Sequence, residues 1–140
     1  MYKSLTIMMA VVLIAVSFSD AFAGAAICIA KGENYTDVEY FLRWDGLSKG
    51  YEAERVARQD YKAKYSKTPH CSNTGSLLSG FFVLVKNEKK NSDGIKILTW
   101  GFGFGTTQAE AEQQAVKDLS NRNWGWSKKD GYVVETTQQF

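Results

Sequence analysis

Tryptophan and phenylalanine side chains in the last third of the chain are the residues best suited to contact a ligand. Trp100, Phe102 and Phe104 alternate with glycines, and Trp124 and Trp126 flank another glycine further on. Because side chains alternate between the two faces of a strand, the first three rings would share one face. Aromatic rings of this kind stack on sugars and anchor protein interfaces. These five aromatics are therefore the predicted binding surface.

The same residues also have a structural interpretation. Glycines inside a strand weaken it unless another part of the chain must approach closely. A helix lying over the glycine face would leave the rings of Trp100, Phe102 and Phe104 to cover the other face. Trp124 and Trp126 would then close one end of the core. The two interpretations differ in how exposed the rings should be.

Catalytic chemistry has weaker support. His70 is the only histidine, so acid–base chemistry near neutral pH would need it or a carboxyl group with a strongly shifted pKa. A hydrolase that uses carboxylates such as Asp45 and Glu54 is the least favoured alternative. The sequence has no serine-hydrolase elbow, no zinc-protease helix and no glycine-rich phosphate loop. We predict no catalytic residue, no metal and no cofactor.

Cys28 and Cys71 are the only cysteines. With His70 they make an incomplete set of zinc ligands, and they lack the close C-x-x-C spacing of redox catalysts. An even pair in a small exported domain is typical of a structural disulfide. Closing so long a loop would stabilise the fold by roughly 3–4 kcal/mol. We therefore predict a Cys28–Cys71 disulfide.

Residues 1–23 have the three parts of a secretory signal. Lys3 supplies a positive charge, residues 5–16 form an apolar run, and Ala21 and Ala23 give the small-x-small cleavage pattern. The run is too short to span a bilayer of about 30 Å. We expect a signal peptide over 1–23 and a periplasmic or secreted domain over 24–140, with no membrane span after cleavage. A formal net charge of +2 predicts no nucleic-acid partner.

Residues 24–140 are predicted to form one domain from two copies of a strand–strand–helix unit. The first copy covers 24–67 and the second covers 81–140, where a closing strand follows the helix. Residues 68–80 are rich in Ser, Thr, Asn and Gly and contain the only proline, which is typical of a linker. The predicted fold is α+β, with an antiparallel sheet, both helices on one face of it, and a C-terminal strand.

The helices are predicted from their starts and from their apolar spacing. Thr107, with Glu110 three residues later, forms a capping box, and Ser48 is its counterpart in the first copy. Acidic residues near both starts suit the helix dipole without any catalytic role. Small or apolar residues recur every four positions along each helix: Ala53, Ala57, Tyr61 and Tyr65 in the first, and Ala111, Ala115 and Leu119 in the second.

The second copy resembles a family of small secreted bacterial domains of unknown function. Its members also pair strand hairpins with helices that open on an Ala-Glu-Ala-like run. The matching residues are Trp100-Gly101-Phe102-Gly103 leading into Ala109-Glu110-Ala111-Glu112, and Glu52-Ala53-Glu54 in the first copy. This chain lacks the cysteine that such domains carry after the second helix. The resemblance implies an exported α+β domain and no particular activity.

Two functions from different classes follow from these observations. The first is a non-enzymatic domain that binds another protein, as an inhibitor or an immunity-type protein does. The second is a periplasmic or secreted module that binds carbohydrate or peptidoglycan by stacking sugar rings on its tryptophans. Both use the same aromatic residues. The exposure of those rings therefore decides which of them can serve either function.

Overall fold

The computed structural model describes residues 24–44 and 49–140. The predicted signal peptide, the Ser48 cap and the carboxylate of Asp45 lie outside the described residues. The described elements are, in chain order, strands β1 (Ala26–Lys31) and β2 (Asp37–Arg43), helix α1 (Gly50–Lys64), strands β3 (His70–Asn73), β4 (Phe81–Lys90) and β5 (Lys96–Gly105), helix α2 (Gln108–Arg122) and strand β6 (Val133–Gln139).

The two halves have the same topology. Each forms a three-stranded antiparallel sheet around its first strand, in the order β2-β1-β3 and then β5-β4-β6. The predicted α+β class, the two strand–strand–helix units and the C-terminal strand are confirmed. The linker prediction omitted β3, which corresponds to β6 of the second half. Its four residues, HCSN, are too short and too polar to show a strand pattern.

The strands divide between two sheets rather than forming one, and the helices lie on opposite sides of the molecule. The main core cluster joins Ile27 and Ile29 of β1 to Phe82 and Leu84 of β4, so the sheets face each other. α1 packs against the outer face of the first sheet and α2 against the outer face of the second. The prediction placed both helices on one face of a single sheet. Both central strands are buried on both faces, so each sheet needs a cover on each side.

The glycines of β5 allow α2 to approach closely. A Cβ atom added at Gly101 or Gly103 would overlap backbone atoms of α2, among them those of Ala111 and Ala115. The aromatic residues that alternate with these glycines point into the core between the sheets. The segment therefore packs as its structural interpretation predicts, with a helix over the glycine face and the aromatic rings on the opposite face. Among the described residues, no helix has the length and apolar character needed to cross a membrane.

The predicted disulfide is confirmed. Cys28 and Cys71 are directly opposite each other in the antiparallel pairing of β1 with β3, and their sulfur atoms are bonded. The bond ties the short strand β3 onto the centre of the first sheet. At the start of α2, the Thr107 hydroxyl accepts a hydrogen bond from the Glu110 N–H at 3.2 Å. The Glu110 carboxylate accepts one from the Thr106 N–H at 2.9 Å, so the cap extends one residue further out than predicted.

Candidate functional site

The five aromatic residues of the predicted binding surface do not form one surface. Trp100 and Phe102 are buried between the sheets, where Phe104 packs against the same cluster. Trp126 is buried beside α2, and its indole N–H donates to the carbonyl of Gly131 at 3.1 Å. Trp124 alone of the five is fully open to solvent, at 99% exposure. Of the five predicted binding residues, Trp124 is therefore the one that is exposed enough to contact a ligand.

Trp124 lines a cleft of about 440 Å³ at the C-terminal end of α2, which we call the Trp124 cleft. Its volume is within the range of small-ligand sites. Three parts of the chain form it: the turn between β1 and β2, the hairpin of β4 and β5, and the end of α2. The lining residues are Lys31, Asn34, Tyr35, Lys89, Asn91, Ile97, Thr99, Arg122, Asn123 and Trp124.

Tyr35 presents a second exposed ring in this cleft, at 83% exposure. It lies in a turn whose backbone is left-handed, with φ of 54° at Asn34 and 61° at Tyr35. Within the described part of the chain, these are the only non-glycine residues with positive φ. Such a conformation costs of the order of 1–3 kcal/mol and tends to occur at functional sites. Tyr35 was not predictable from the sequence, because the turn has no glycine at the two positions with positive φ to reveal its geometry.

Hydrogen bonds hold this strained turn in place. The Gly32 N–H donates to the carbonyl of Thr36 at 2.8 Å. The Lys31 ammonium donates to the carbonyl of Tyr35 at 3.0 Å, directly at the strained residue. The Thr36 hydroxyl accepts from the N–H of Leu98 in β5 at 2.9 Å, so the turn is also attached to the second half. The Tyr35 backbone is therefore fixed relative to the Trp124 side of the cleft.

A buried carboxylate beneath the turn strengthens this connection. Asp37 accepts hydrogen bonds from the Trp100 N–H and the Arg122 guanidinium, both at 2.9 Å. The Lys31 ammonium lies 3.2 Å from the same carboxylate. Arg122 also donates to the carbonyl of Trp100. Buried charges persist in this way only when they are paired and hydrogen-bonded. The network links β1 and β2 of the first half to β5 and α2 of the second.

The cleft is rich in hydrogen-bond donors and weakly positive. Three of its lining residues are cationic, and none of the described lining residues is acidic. The Lys89 ammonium donates to the carbonyl of Gly125 at 3.3 Å and lies 3.7 Å from the Asp130 carboxylate. A hydrogen bond from the Ser127 N–H, with the charge of Lys89 as a further contribution, holds the pKa of Asp130 below its ordinary value. Asp130 is therefore ionised at neutral pH.

Asn123 lies at the base of the cleft and is 7% exposed. Its backbone ends α2, since its N–H donates to Leu119 and its carbonyl accepts from Trp126 at 3.0 Å. The side-chain Nδ2 has no hydrogen-bond acceptor among the described residues. The atom is itself enclosed by protein atoms, so a ligand in the cleft could not reach it without a local rearrangement. Asn123 therefore contributes to the wall of the cleft and offers no accessible donor there.

A larger groove of about 860 Å³ runs along α2, and some of its polar groups are paired within the protein. The Tyr132 hydroxyl donates to the Glu112 carboxylate at 2.6 Å. Trp126, which lines the same groove, donates to the backbone at Gly131. Its aromatic rings are also much less exposed than Trp124 and Tyr35, since Tyr132 is 39% and Trp126 9% exposed. We regard the smaller Trp124 cleft as the better candidate site.

The residues considered for catalysis lie outside the cleft. His70 of β3 is 3.6 Å from the Asp118 carboxylate of α2. Glu54 of α1 accepts hydrogen bonds from Arg58 and Asn73, both at 3.3 Å. Within residues 24–44 and 49–140, no three His, Cys, Asp or Glu side chains converge as a metal ion would require. The structure thus pairs Glu54 with Arg58 and places His70 beside Asp118 at the surface.

Comparison of the sequence and the structure with known proteins found no matching family, no similar characterised protein and no similar solved structure. The resemblance to small secreted domains stays a prediction from the residues that carry it. The Trp124 cleft is therefore the feature from which a function can be inferred.

Proposed function

We propose that this protein is an exported, non-enzymatic binding domain and that the Trp124 cleft binds a saccharide. The observation that carries the proposal is the presence of two highly exposed aromatic rings, Trp124 and Tyr35, in one cleft of ligand size. Large aromatic rings are normally kept from water because their burial is favourable. Two such rings at the rim of one cleft suggest that a ligand covers them.

The chemistry of the lining supports a sugar ligand. Pyranose rings have apolar faces that stack on aromatic rings, and hydroxyl groups at their edges that need hydrogen-bond partners. Trp124 and Tyr35 provide the rings. Asn34 and Asn91 provide amide partners in the same lining. A few placed polar groups within an otherwise apolar pocket are typical of small-ligand sites.

The construction of the site also supports binding as its role. The strained turn that presents Tyr35 is attached to the second half through Thr36 and Asp37. A recognition residue on a fixed backbone loses less conformational entropy when its ligand binds. The Cys28–Cys71 disulfide is consistent with an extracellular or periplasmic location, where saccharides are available.

The proposal is tested by titrating the oxidised protein with soluble oligosaccharides, including chitin and peptidoglycan fragments, while recording tryptophan fluorescence and NMR chemical shifts. We expect Trp124→Ala and Tyr35→Ala each to weaken binding by about 5- to 150-fold, if a sugar ring stacks as strongly as a nucleic-acid base, at roughly 1–3 kcal/mol per ring. Tyr51→Ala is the matched control, because Tyr51 is an exposed tyrosine of α1 outside the cleft. Equal losses in all three variants would contradict the assignment of the site.

A protein partner is the second candidate function. It is favoured by the exposure of Trp124, because a protruding tryptophan is the side chain most typical of an interface hot spot. In that case Trp124 would insert into a pocket of the partner, as expected of an inhibitor or an immunity-type protein. A purified partner that binds the parent protein but not Trp124→Ala, together with no response to any saccharide, would favour this function over the first.

A further inference from the structure

We infer that the saccharide bound by the Trp124 cleft is acidic and that Lys89, with Lys31, binds its carboxylate. The inference rests on the proposed function and specifies its ligand class. It starts from the charges of the lining, which include Lys31, Lys89 and Arg122 but no acidic residue among those described. A neutral sugar would need hydroxyl and amide partners but no local excess of positive charge.

The ion pairs around the cleft leave one positive charge in excess. The buried Asp37 carboxylate already has a close partner in Arg122, whose side chain is 6% exposed. Lys31 is a second cation on the same carboxylate, and its side chain is 36% exposed. Lys89 is balanced by Asp130. The sum of these five charges is therefore one excess positive charge at the cleft.

Lys89 has hydrogen-bonding capacity left for a ligand. An ammonium group has three N–H donors, and the Nζ atom of Lys89 makes one hydrogen bond, to the carbonyl of Gly125. Its distance of 3.7 Å to the Asp130 carboxylate is longer than a charge-assisted hydrogen bond. A ligand carboxylate would bind more closely to Lys89 than Asp130 does.

The remaining contacts suit an anionic group attached to a sugar ring. The amide groups of Asn34 and Asn91 in the same lining would contact the hydroxyl groups of the sugar. Trp124 and Tyr35 would cover the ring to which the anionic group is attached. A small inorganic anion would use the donors but leave both aromatic rings uncovered. A uronic acid or an N-acetylmuramic acid unit uses the donors and the rings together.

The test compares acidic sugars with neutral partners of the same size. The probes are tetragalacturonate with its methyl ester, and the disaccharide of N-acetylglucosamine and N-acetylmuramic acid with chitobiose. We expect at least one acid to bind the oxidised protein about tenfold more tightly than its neutral partner, since hydrogen bonds to charged groups are worth about twice neutral ones. High salt should reduce this preference, because the ammonium groups are partly exposed.

Two lysine variants test the contact itself. Lys89→Gln should lose most of the preference for the acid while binding the neutral sugar as before. Lys96→Gln removes the same charge from the same hairpin, but Lys96 lies 2.9 Å from Glu88 and is not part of the cleft lining. It should leave both affinities within about twofold. Unfolding midpoints would be measured for both variants, and we expect them to equal that of the parent.

The possible results separate the two proposals. If the neutral partners bind within about twofold of the acids, or if Lys89→Gln weakens both equally, the inference about acidity is overturned while saccharide binding stands. If no saccharide of either kind binds, the proposed function fails and the inference fails with it. A preference for acid that disappears in Lys89→Gln and remains in Lys96→Gln establishes the carboxylate contact.

Discussion

The two halves of the molecule share a topology but fit their helices onto their sheets in different ways. In the first half the small residues are on the central strand, where Cys28 and Ala30 lie beneath α1. In the second half the central strand has Val83 and Val85, and the glycines are on the edge strand β5. α1 therefore lies mainly over β1, whereas α2 lies mainly over β5. The position of the smallest side chains determines where a helix can approach its sheet.

This difference has consequences for the surfaces of the molecule. Because α2 lies over β5, its Asp118 reaches the strand edge and accepts a hydrogen bond from the Phe102 N–H at 2.9 Å. Thr36 and Asp37 accept from the next two outward N–H groups, at Leu98 and Trp100. Side chains thus cover the free edge of β5, which limits pairing with other chains. The same shift leaves β6 and the groove beside it open.

The corresponding hairpin turns differ in strain. The turn between β4 and β5 places Gly94 at a φ of 76°, which glycine adopts without steric cost. The turn between β1 and β2 places Asn34 and Tyr35 in the same left-handed region. A sequence selected only for stability would have glycine in both turns. The strained tyrosine therefore points to a role beyond folding, which agrees with its place in the Trp124 cleft.

Breaking the link between the halves should lower the free energy of unfolding more than the other changes proposed below. Asp37→Asn leaves the buried Arg122 guanidinium without its counter-charge, and we expect a loss of about 3–5 kcal/mol in the free energy of unfolding. Urea denaturation measures this loss of stability. Asp60→Asn is the control, because its ion pair with Arg43 is partly exposed and should contribute less than about 1 kcal/mol. Equal losses in the two variants would show that the buried network does not hold the halves together.

The disulfide distinguishes the first half from the second. The Cys28→Ala/Cys71→Ala double variant should lose roughly 3–4 kcal/mol, because the unfolded chain regains the freedom of a long loop. Native-state hydrogen exchange should show faster exchange in β1 and β3, with β4 and β6 less affected. The parent protein after reduction should behave in the same way. A uniform loss of protection would indicate that the two halves unfold as one unit.

The glycines of β5 distinguish the second half. Gly103→Ala places a methyl group against the backbone of α2, and we expect a loss of about 3 kcal/mol, at the upper end for overpacked sites. Amide exchange in α2 should increase, while α1 should be unaffected. Gly94→Ala is the matched control: its position has open space but positive φ, so it should lose only about 1–2 kcal/mol. Similar losses would mean that close helix packing is not why glycine occurs at 103.

The local patterns of the sequence were sufficient to predict most of the fold. Apolar runs predicted β1 and β4, and four-residue spacing predicted both helices, because these signals lie in neighbouring residues. The division into two sheets was not predictable in this way, since it depends on contacts between β1 and β4 across the core. The strand β3 was missed because its polar residues owe their pairing to β1 and to the disulfide.

The candidate site was less predictable than the fold. Trp124 belongs to the predicted binding surface because tryptophan stacks on ligands and is enriched at binding hot spots, and the structure places it at the surface. Trp100 and Phe102 have the same aromatic character but lie in the core. Composition alone could not separate these cases. Tyr35, Lys89 and Asn123 come from three separate segments, and only the folded chain brings them into one cleft.

The smallest expected change in stability tests whether the strained turn at Tyr35 is kept for ligand binding. Tyr35→Gly removes the left-handed strain of a residue whose side chain is largely exposed, so we expect the protein to gain about 1 kcal/mol of stability. Tyr51→Gly, in the first turn of α1, should instead lose roughly 0.5–1 kcal/mol, because glycine weakens helices. Chemical denaturation measures both variants, and saccharide titration measures binding.

Opposite signs for the two tyrosines, with binding lost only in Tyr35→Gly, would show that stability is given up at this turn for recognition. Two results would argue against that account. A loss of stability in Tyr35→Gly would mean that its ring stabilises the fold by more than the strain costs. A gain of stability with binding retained would leave the strain real but would remove Tyr35 from the binding site, so that Trp124 and the lysines would have to account for recognition alone.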